Sequence, residues 1–326
     1  MATVGSLGEF GLIARIARMT PTAPSVVEGI GDDCAVLRIG DRLMLVSCDL
    51  SIENVHWRRS HAQPDAIGWK AAASALSDIA AMGGAPLFCL ISLACTADTE
   101  TAFVDGLYDG LLDAVTESGA AIVGGDTTRS TEGVIIDVTV IGEPAGDRYL
   151  GRKGAQPGDM LAVTGRLGLS AAGLHALERK ADAPELVRAH YHPIPRFPEG
   201  QWFSARPEVH AMIDVSDGLV QDAGHLAEAA HLGIDIDPVS LPVDPSLAAY
   251  CTEQGLAPYD FILAGGEDYE LAFAVAGEQS GNLVNAFRQQ FHTGISVVGT
   301  FTDAWRGVRI AGNPPSRKGF DHFSQP

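Results

Sequence analysis

Aspartate and glutamate stand beside glycine, serine or threonine in six short segments that are spread over more than two hundred residues. The segments are 31–33 (Gly-Asp-Asp), 47–49 (Ser-Cys-Asp), 76–83 (Leu-Ser-Asp-Ile-Ala-Ala-Met-Gly), 124–129 (Gly-Gly-Asp-Thr-Thr-Arg), 214–218 (Asp-Val-Ser-Asp-Gly) and 265–270 (Gly-Gly-Glu-Asp-Tyr-Glu). Two unit charges 4 Å apart repel by roughly 4 kcal/mol at an effective dielectric constant near 20, so carboxylates that converge need cations among them. Clustered carboxylates beside small, backbone-exposing residues therefore predict a site that binds several magnesium ions and handles phosphates.

An ordinary turn or helix cap is the alternative explanation for any one of these segments, because Asp and Glu are common beside Gly in both. The joint occurrence of six segments is much harder to explain in that way. Motifs of other phosphate-handling enzymes are absent from the sequence, which has neither a Gly-x-x-x-x-Gly-Lys-[Ser/Thr] loop nor a His-Arg-Asp kinase loop. Lysine occurs only at positions 70, 153, 180 and 318, so the charge of a phosphate would have to be met by metal and arginine. A helix that begins after Gly218 would also direct its N-terminal dipole at an anion.

The composition of the chain argues against several classes of protein. The 326 residues favour two domains. The formal charge of −19 argues against binding to nucleic acid, which depends on Lys and Arg. No stretch reaches the eighteen or so apolar residues of a membrane span, and no signal peptide pattern opens the chain. The five cysteines are scattered and form no Cys-x-x-Cys pair, so we expect neither zinc nor disulfides, and a cytoplasmic location.

Helices and strands are predicted to alternate in both halves of the chain. In the first half we expect helices over 6–19, 65–82 and 98–118, and strands over 34–39, 43–48 and 134–142. In the second half we expect helices between 170 and 203 and over 219–232 and 278–291, and strands over 160–164, 212–215, 271–275, 296–300 and 308–310. Ser6, in a Ser-Leu-Gly-Glu capping box, and Asp98 are the expected N-caps of the first and third helices. Residues 143–157 are rich in Gly, Pro and Arg, which indicates a connection between domains.

The order and wording of the acidic segments carry a resemblance to a known family. Together with 318–323 (Lys-Gly-Phe-Asp-His-Phe), they closely resemble the thiamine-monophosphate kinases, whose superfamily also contains aminoimidazole ribonucleotide synthetase and selenophosphate synthetase. The resemblance implies an N-terminal α/β domain over 1–145, which pairs its sheet with a second subunit in a dimeric sheet or barrel, and a C-terminal α+β domain over 146–326. It also implies ATP and several Mg²⁺ ions between the domains, and phosphoryl transfer to thiamine monophosphate by a homodimer.

The resemblance assigns roles to individual residues. The implied magnesium ligands are Asp33, Ser47, Cys48, Asp49, Asp78, Asp126, Asp214 and Asp217, of which Asp126 and Asp217 would act in catalysis through the metal. The implied contacts with ATP are Tyr108, Gly125, Asp126, Arg152 and Ser216. The implied contacts with thiamine monophosphate are His56, Glu267 and Phe320, where the phenyl ring would stack on a cationic heterocycle. Taken alone, His56 would be an ordinary half-buried histidine and Phe320 a core residue.

Cys48 departs from the family, whose members usually have threonine at this position. A thiol is a poor ligand for magnesium, so we expect Cys48 to contribute its backbone carbonyl. Two alternatives stay open at this point. One is another ATP-dependent enzyme of the superfamily, although the reactive cysteine of selenophosphate synthetases has no counterpart before Cys34. The other is a non-catalytic module that binds divalent cations or nucleotides.

Overall fold

The computed structural model describes residues 3–317 and 319–323, so the predicted motif residue Lys318 lies outside the described residues. The elements of the first half are α1 (Val4–Met19), β1 (Val26–Glu28), β2 (Ala35–Ile39), β3 (Arg42–Ile52), α2 (Pro64–Ala81), β4 (Gly84–Cys95), α3 (Thr101–Glu117), β5 (Ala121–Arg129) and β6 (Ile135–Pro144). Those of the second half are β7 (Met160–Thr164), α4 (Leu169–Arg179), α5 (Pro184–Tyr191), α6 (Phe197–Ser204), β8 (Val209–Asp214), α7 (Leu219–Ala229), β9 (Gly233–Ile236), α8 (Pro245–Gln254), α9 (Pro258–Ala264), β10 (Leu271–Val275), α10 (Ser280–Gln290), β11 (Ile295–Thr302) and β12 (Gly307–Ile310). The mixed α/β class is thereby confirmed.

The first half builds a six-stranded sheet in the order β1-β2-β3-β6-β4-β5. Strands β4 and β5 are parallel and are joined by α3, whereas the other neighbours are antiparallel. Helix α2 packs against β3, β4 and β6, and the residues on that side of the sheet, such as Leu45, Ile91 and Val138, are fully buried. Because successive side chains of a strand point to opposite faces, the alternate residues of β3, β4 and β6 form a second face that no helix of this half covers.

The second half builds another six-stranded sheet, in the order β12-β9-β11-β7-β10-β8. Within this sheet, only the β12–β9 pair is parallel among the described strands. Both faces of this sheet are buried. One packs a cluster that includes residues of α4 and α7, and the other packs a cluster around Phe203, Phe273 and Phe287. The strands consequently read as continuous apolar runs, and all five residues of β10 are buried.

Helix α2 lies between the two sheets, because it also contacts α6 and β8 of the second half. Thirteen of its eighteen residues are buried, and most of those are alanine. Three polar residues, Lys70, Ser74 and Asp78, recur every fourth position and so lie on one side of the helix. Another side packs closely on α3, where a Cβ atom on Gly110 would come within 1.8 Å of a carbonyl oxygen of α2. The fit between these two helices therefore holds the polar stripe in place.

Three details of the predicted elements are wrong. The capping box of α1 is formed by Thr3 and Ser6, one turn before the predicted one, and Gly8 interrupts the helix with a φ of 67°. The N-cap of α3 is Glu100 and not Asp98. Strands β1 and β9 and helices α8 and α9 were not predicted at all; they are only three to ten residues long.

Within residues 3–317 and 319–323, no helix combines the length and the apolar character that crossing a bilayer requires.

Candidate active site

A cleft of about 1190 Å³ opens between the two halves of the molecule. Its walls come from the polar stripe of α2, the end of β3, the loops that follow β8 and α9, and the segment after β12. Eight of the predicted site residues line it: Asp49, His56, Asp78, Asp214, Ser216, Asp217, Glu267 and Phe320. The structure thus brings together predicted metal ligands and predicted substrate contacts from segments far apart in the chain.

Three carboxylates meet at the deep end of the site. Asp33, from the loop between β1 and β2, Asp78, from α2, and Asp214, at the end of β8, each place one oxygen within 4.8 Å of the others. Burial, together with the charge of neighbouring carboxylates, raises the pKa of Asp33 and of Asp214 to about 6. The pKa of Asp78 is raised well above its usual value for the same two reasons. These groups are consequently costly to ionise without a cation nearby.

Arg152 supplies the positive charge that contacts this cluster. Its guanidinium donates to Oδ1 of Asp33 from Nε at 3.1 Å and from Nη2 at 2.5 Å. The hydroxyl of Ser47 donates to Asp78, and that of Ser77 donates to Asp214 at 2.6 Å. Oδ2 of Asp33 is buried and has no hydrogen-bond partner among the described residues. An unpaired carboxylate oxygen among further oxygen ligands fits a hard divalent cation such as Mg²⁺.

Two further aspartates extend the acidic wall. Burial raises the pKa of Asp49 and of Asp217 to about 6. Asp217 lies within 4.8 Å of Asp222 and His225, two residues of α7 that the sequence analysis did not single out. Asp222 accepts hydrogen bonds from the backbone N–H groups of Asp217 and Gly218, at 3.1 and 3.0 Å. These two amides just before α7 are therefore already bonded, and the direction of the helix dipole towards an anion stays a prediction.

Cys48 directs its side chain away from the acidic cluster. Ser47 and Asp49 share the α2 side of β3, so the residue between them points to the opposite face. There the exposed thiol of Cys48 donates to Oδ1 of Asp137 at 2.9 Å, and burial together with this hydrogen bond raises its pKa. Asp137 was not among the predicted residues. A ligand role for Cys48 through its backbone carbonyl stays a prediction.

Four of the five residues predicted to contact ATP do not line the cleft: Arg152, which pairs with Asp33 at the acidic cluster, and three residues of the first half. Asp126 is exposed on β5, where it lies opposite Ser92 in the strand register, and Ser92 lies opposite Asp137. Asp126 therefore shares the uncovered sheet face with Asp137. A Cβ atom on Gly125 would come within 1.8 Å of the backbone of β4, so strand packing already requires glycine there. Tyr108, a residue of α3, packs against the core of the first half. Their roles stay predictions.

The predicted substrate residues stand around the wider part of the cleft. His56 accepts a hydrogen bond on Nδ1 from the backbone of Ile52 at 2.9 Å, and burial lowers its pKa to about 4. Its ring lies 5.1 Å from that of His322. Phe320 is half exposed, and its backbone N–H donates to the carbonyl oxygen of Asp217 at 3.0 Å. The rings of His56 and Phe320 and the carboxylate of Glu267 surround a space that suits a small heterocycle.

Sequence reasoning missed Lys70, which is buried in the wall of the cleft and forms an ion pair with Glu267. It also missed Glu9 of α1, whose carboxylate accepts a hydrogen bond from the backbone of His322 at the rim. One sequence signal could have revealed Lys70. A lysine four and eight residues before Ser74 and Asp78, in an alanine-rich helix, indicates a polar stripe that faces a site.

Comparisons with known proteins place the chain in a family. Residues 31–143 match the model of the AIR synthase related protein N-terminal domain, and residues 156–312 match that of the AIR synthase related protein C-terminal domain. The thiamine-monophosphate kinase of Aquifex aeolicus (strain VF5) is 36% identical over 322 residues, which cover 97% of this chain and 98% of that protein. The thiamine-monophosphate kinase of Escherichia coli (strain K12) is 36% identical over 334 residues and 98% of this chain.

The chain belongs to the thiamine-monophosphate kinase family. A solved structure of this family, AaThiL complexed with AMPPCP and TMP, superposes with a TM-score of 0.88 at 33% identity and covers 99% of both chains. The thiamine-monophosphate kinase from Stenotrophomonas maltophilia K279a superposes with a TM-score of 0.77 at 31% identity, over 95% of this chain and 98% of that one. The hydrogenase maturation protein HypE of E. coli, at 22% identity and a TM-score of 0.70, shares the fold.

The ion pair of Arg152 generates a prediction about stability. Arg152→Met leaves the carboxylate of Asp33 buried without its partner, which should lower the free energy of unfolding by roughly 3 kcal/mol at pH 8. The loss should shrink at pH 5.5, because carboxylates with a pKa near 6 are then largely protonated and no longer need the cation.

Urea unfolding in metal-free buffer at both pH values measures this difference. Arg166→Met is the matched control, since Arg166 pairs with Asp244 on the surface at 3.2 Å and is 61% exposed. An equal loss at the two pH values for Arg152→Met would contradict the role of Arg152 as a counter-ion.

Proposed function

We propose that this protein transfers the γ-phosphoryl group of ATP to thiamine monophosphate, which yields thiamine diphosphate and ADP. The observation that carries the proposal is one cleft in which buried carboxylates lie on the same walls as Glu267, His56 and Phe320. The names of the relatives support it, as do the ligands AMPPCP and TMP in the similar structure. A non-catalytic binding module would not need both the acidic wall and the part of the cleft around Glu267, His56 and Phe320.

Several Mg²⁺ ions belong to this proposal. The residues that would hold them are the five aspartates of the acidic wall, Asp33, Asp49, Asp78, Asp214 and Asp217, with Ser47, the carbonyl of Cys48 and, from the open sheet face, Asp126. The unpaired buried oxygen of Asp33 and the raised pKa values of its neighbours support the assignment. Bound there, the ions would supply charge neutralisation between two polyanionic phosphates.

In this proposal, the residues of the chain bind the two reactants and orient them. The second pKa of a phosphate monoester is about 6, so the attacking oxygen is already mostly deprotonated near pH 7 and needs no general base. The aspartates therefore act as metal holders and not as proton acceptors. Arg152, fixed by Asp33, provides a permanent cation at the anionic end of the cleft, and Ser216 lines the cleft beside Asp217. Holding the reactants in line accounts for most of what such a site must do.

The opposite part of the cleft suits the thiazolium and aminopyrimidine rings. Thiazolium is cationic, so the exposed face of Phe320 and the carboxylate of Glu267 favour it electrostatically. His56 is neutral near pH 7 because of its lowered pKa, and it therefore adds no repulsion to a cationic ring. The five cysteines are free thiols, which fits the cytoplasm that we propose as the compartment.

The test of this function is an assay that offers ATP and Mg²⁺ with thiamine monophosphate, thiamine or an aminoimidazole ribonucleotide precursor in parallel. We expect thiamine diphosphate and ADP from thiamine monophosphate alone, identified by chromatography and ³¹P NMR. Turnover of the aminoimidazole precursor would instead indicate another enzyme of the superfamily. ATP binding without any product would indicate a non-catalytic module.

Asp126 provides a test of the metal assignment. Asp126→Asn removes one charge, so it should lower kcat at least about tenfold at ordinary Mg²⁺ and recover part of the loss when Mg²⁺ is raised. Asp303→Asn, which changes an exposed aspartate in a distant turn, is the matched control and should behave as the wild type. Full wild-type activity in the presence of excess chelator would refute the magnesium assignment altogether.

We also propose that two copies pair through the uncovered face of the first sheet. One row of the register on this face is apolar and joins Val46, Ile141 and Phe88, and the side chain of Phe88 is 44% exposed. Leu50 and Val123 add further exposed apolar surface, each at 57%. Exposed apolar patches of this kind mark interaction surfaces, and a second copy of the same face covers them symmetrically.

A charge placed in this row should separate the copies. Phe88→Arg is expected to give the mass of one chain, about half the wild-type mass, in light scattering after size-exclusion chromatography, because the arginine would have to be desolvated at the interface. Val239→Arg, at an apolar side chain that is 88% exposed elsewhere, should leave the mass unchanged. A wild-type protein that is monomeric at micromolar concentration would refute the proposed dimer.

A further inference from the structure

Lys70 is the buried cation at the junction of the two halves. The residue is only 3% exposed, although it lies on α2 beside the cleft. Its ammonium group has three donors, and each finds an acceptor: Oε1 of Glu267 at 2.7 Å, Nε2 of His190 at 3.1 Å and the carbonyl oxygen of His56 at 3.2 Å. Two of these three partners are predicted substrate residues. Lys70 therefore links His56 and Glu267 through one fully satisfied group.

His190 completes the surroundings of this ammonium group. Burial lowers the pKa of His190 to about 3, and the charge of Lys70 lowers it as well, so the ring is neutral. A neutral ring that accepts on Nε2 carries its proton on Nδ1, which lies 3.0 Å from the hydroxyl of Ser170. Among the residues that the structure describes, Glu267 is thus the one anion that contacts Lys70, and the two charges depend on each other in a buried setting.

Glu267 is held in a demanding position. Its φ of 64° lies in the left-handed region, which is unfavourable for a residue other than glycine and persists only where the surroundings enforce it. Its backbone N–H donates to the carbonyl oxygen of Ser216 at 2.7 Å. Oε1 is occupied by Lys70, whereas Oε2 lies 3.6 Å from His190, beyond hydrogen-bond distance, on a side chain that is 27% exposed. Oε2 is therefore the carboxylate oxygen that remains able to accept from a ligand.

We propose that Lys70 is a positioning residue for thiamine monophosphate: it fixes Glu267 and His56 relative to each other, so that Glu267 presents one ionised oxygen to the heterocyclic end of the substrate. The inference rests on the proposed function and extends it to a residue that does not itself contact the reacting phosphates. Lys70 acts on substrate binding at one end of the cleft. It should leave ATP binding and the chemical step at the other end almost unchanged.

The charge of Glu267 depends on all the groups that face it. These are Lys70 from α2, His190 and Tyr191 from α5, His56 after β3, and Asp268 and Tyr269 on its own loop. Burial alone would raise the pKa of Glu267, but the charge and the hydrogen bond of Lys70 lower it below its usual range. Without Lys70 the effect of burial prevails, so this carboxyl would take up its proton at a higher pH than in the wild type.

The decisive experiment compares steady-state kinetics of the wild type and Lys70→Met over pH 5 to 9. We expect the KM for thiamine monophosphate to rise about 10- to 100-fold, as for the loss of a hydrogen bond to a charged group, with kcat and the KM for ATP within about threefold. The acid limb of kcat/KM for thiamine monophosphate should move to higher pH. An unchanged KM and acid limb would overturn the proposal, as would a loss confined to kcat.

Arg196→Met is the matched control for structural damage. Arg196 forms a bidentate ion pair with Glu270 at 2.6 and 2.7 Å, three residues along the same loop, and neither residue lines the cleft. This variant should lower the melting temperature but leave the KM for thiamine monophosphate and the pH profile as in the wild type. A rise in that KM equal to the rise in Lys70→Met would overturn the proposal, because general loosening of the junction would then explain both.

A second comparison covers the case in which Lys70→Met does not fold. The double variant Lys70→Met with Glu267→Gln buries no uncompensated charge, and its KM for thiamine monophosphate should equal that of Glu267→Gln alone. A further increase in the double variant would show that Lys70 acts independently of Glu267 and would refute the inference. A wild type that forms no thiamine diphosphate would instead refute the proposed function, so the two failures are distinguishable.

Discussion

Mutual repulsion among buried carboxylates is the constraint on which the rest of the molecule depends. Asp33 and Asp78 come from the first half and Asp214 from the second, and their oxygens lie within 4.8 Å of one another. At an effective dielectric constant near 20, each ionised pair at that distance repels by roughly 3 to 4 kcal/mol. Arg152 contacts only one of the three. The junction between the halves is therefore least favourable when empty and ionised, so cation binding and domain packing stabilise each other.

Helix α2 holds charged groups of the cleft at fixed distances from one another. Lys70 and Asp78 stand eight residues apart on one side of the helix, which separates their backbones by about 12 Å. One end of the stripe offers a cation that holds Glu267, and the other end offers an anion to the acidic wall. Thiamine monophosphate has the opposite arrangement, because its phosphate forms one end of the molecule and its cationic thiazolium ring lies towards the heterocyclic end. The alanine-rich and largely buried helix α2 thus sets the distance between two recognition sites of opposite charge.

Much of this could be predicted from local sequence. The alternation of β2 and β3 and the alanine-rich pattern of α2 are short-range signals, and the structure has all three elements. Strand alternation alone also separates the side chain of Cys48 from those of Ser47 and Asp49, although only the structure shows its contact with Asp137. The break of helix α1 at Gly8 was not predicted, because the local sequence Ser-Leu-Gly-Glu matches the pattern of a capping box.

What could not be predicted depends on distant partners. The environment of Lys70 is made by His190, 120 residues further on, and by Glu267, so no window of sequence contains it. The position of Asp126 on a face that the cleft does not reach follows from the order of strands in the sheet, and single-strand patterns carry no information about that order. Packing between the halves determines which carboxylates actually meet.

The contact between Glu9 and the segment after β12 has a consequence for the order in which the protein folds. Glu9 accepts a hydrogen bond from the backbone of His322 across 313 residues of chain, and the backbone N–H of Phe320 donates to Asp217. The described strands of both sheets and the residues of the hydrophobic clusters all lie at or before residue 310. Both cores can therefore pack before the segment after β12 closes the rim of the cleft, so that folding and the ability to hold substrate are separable steps.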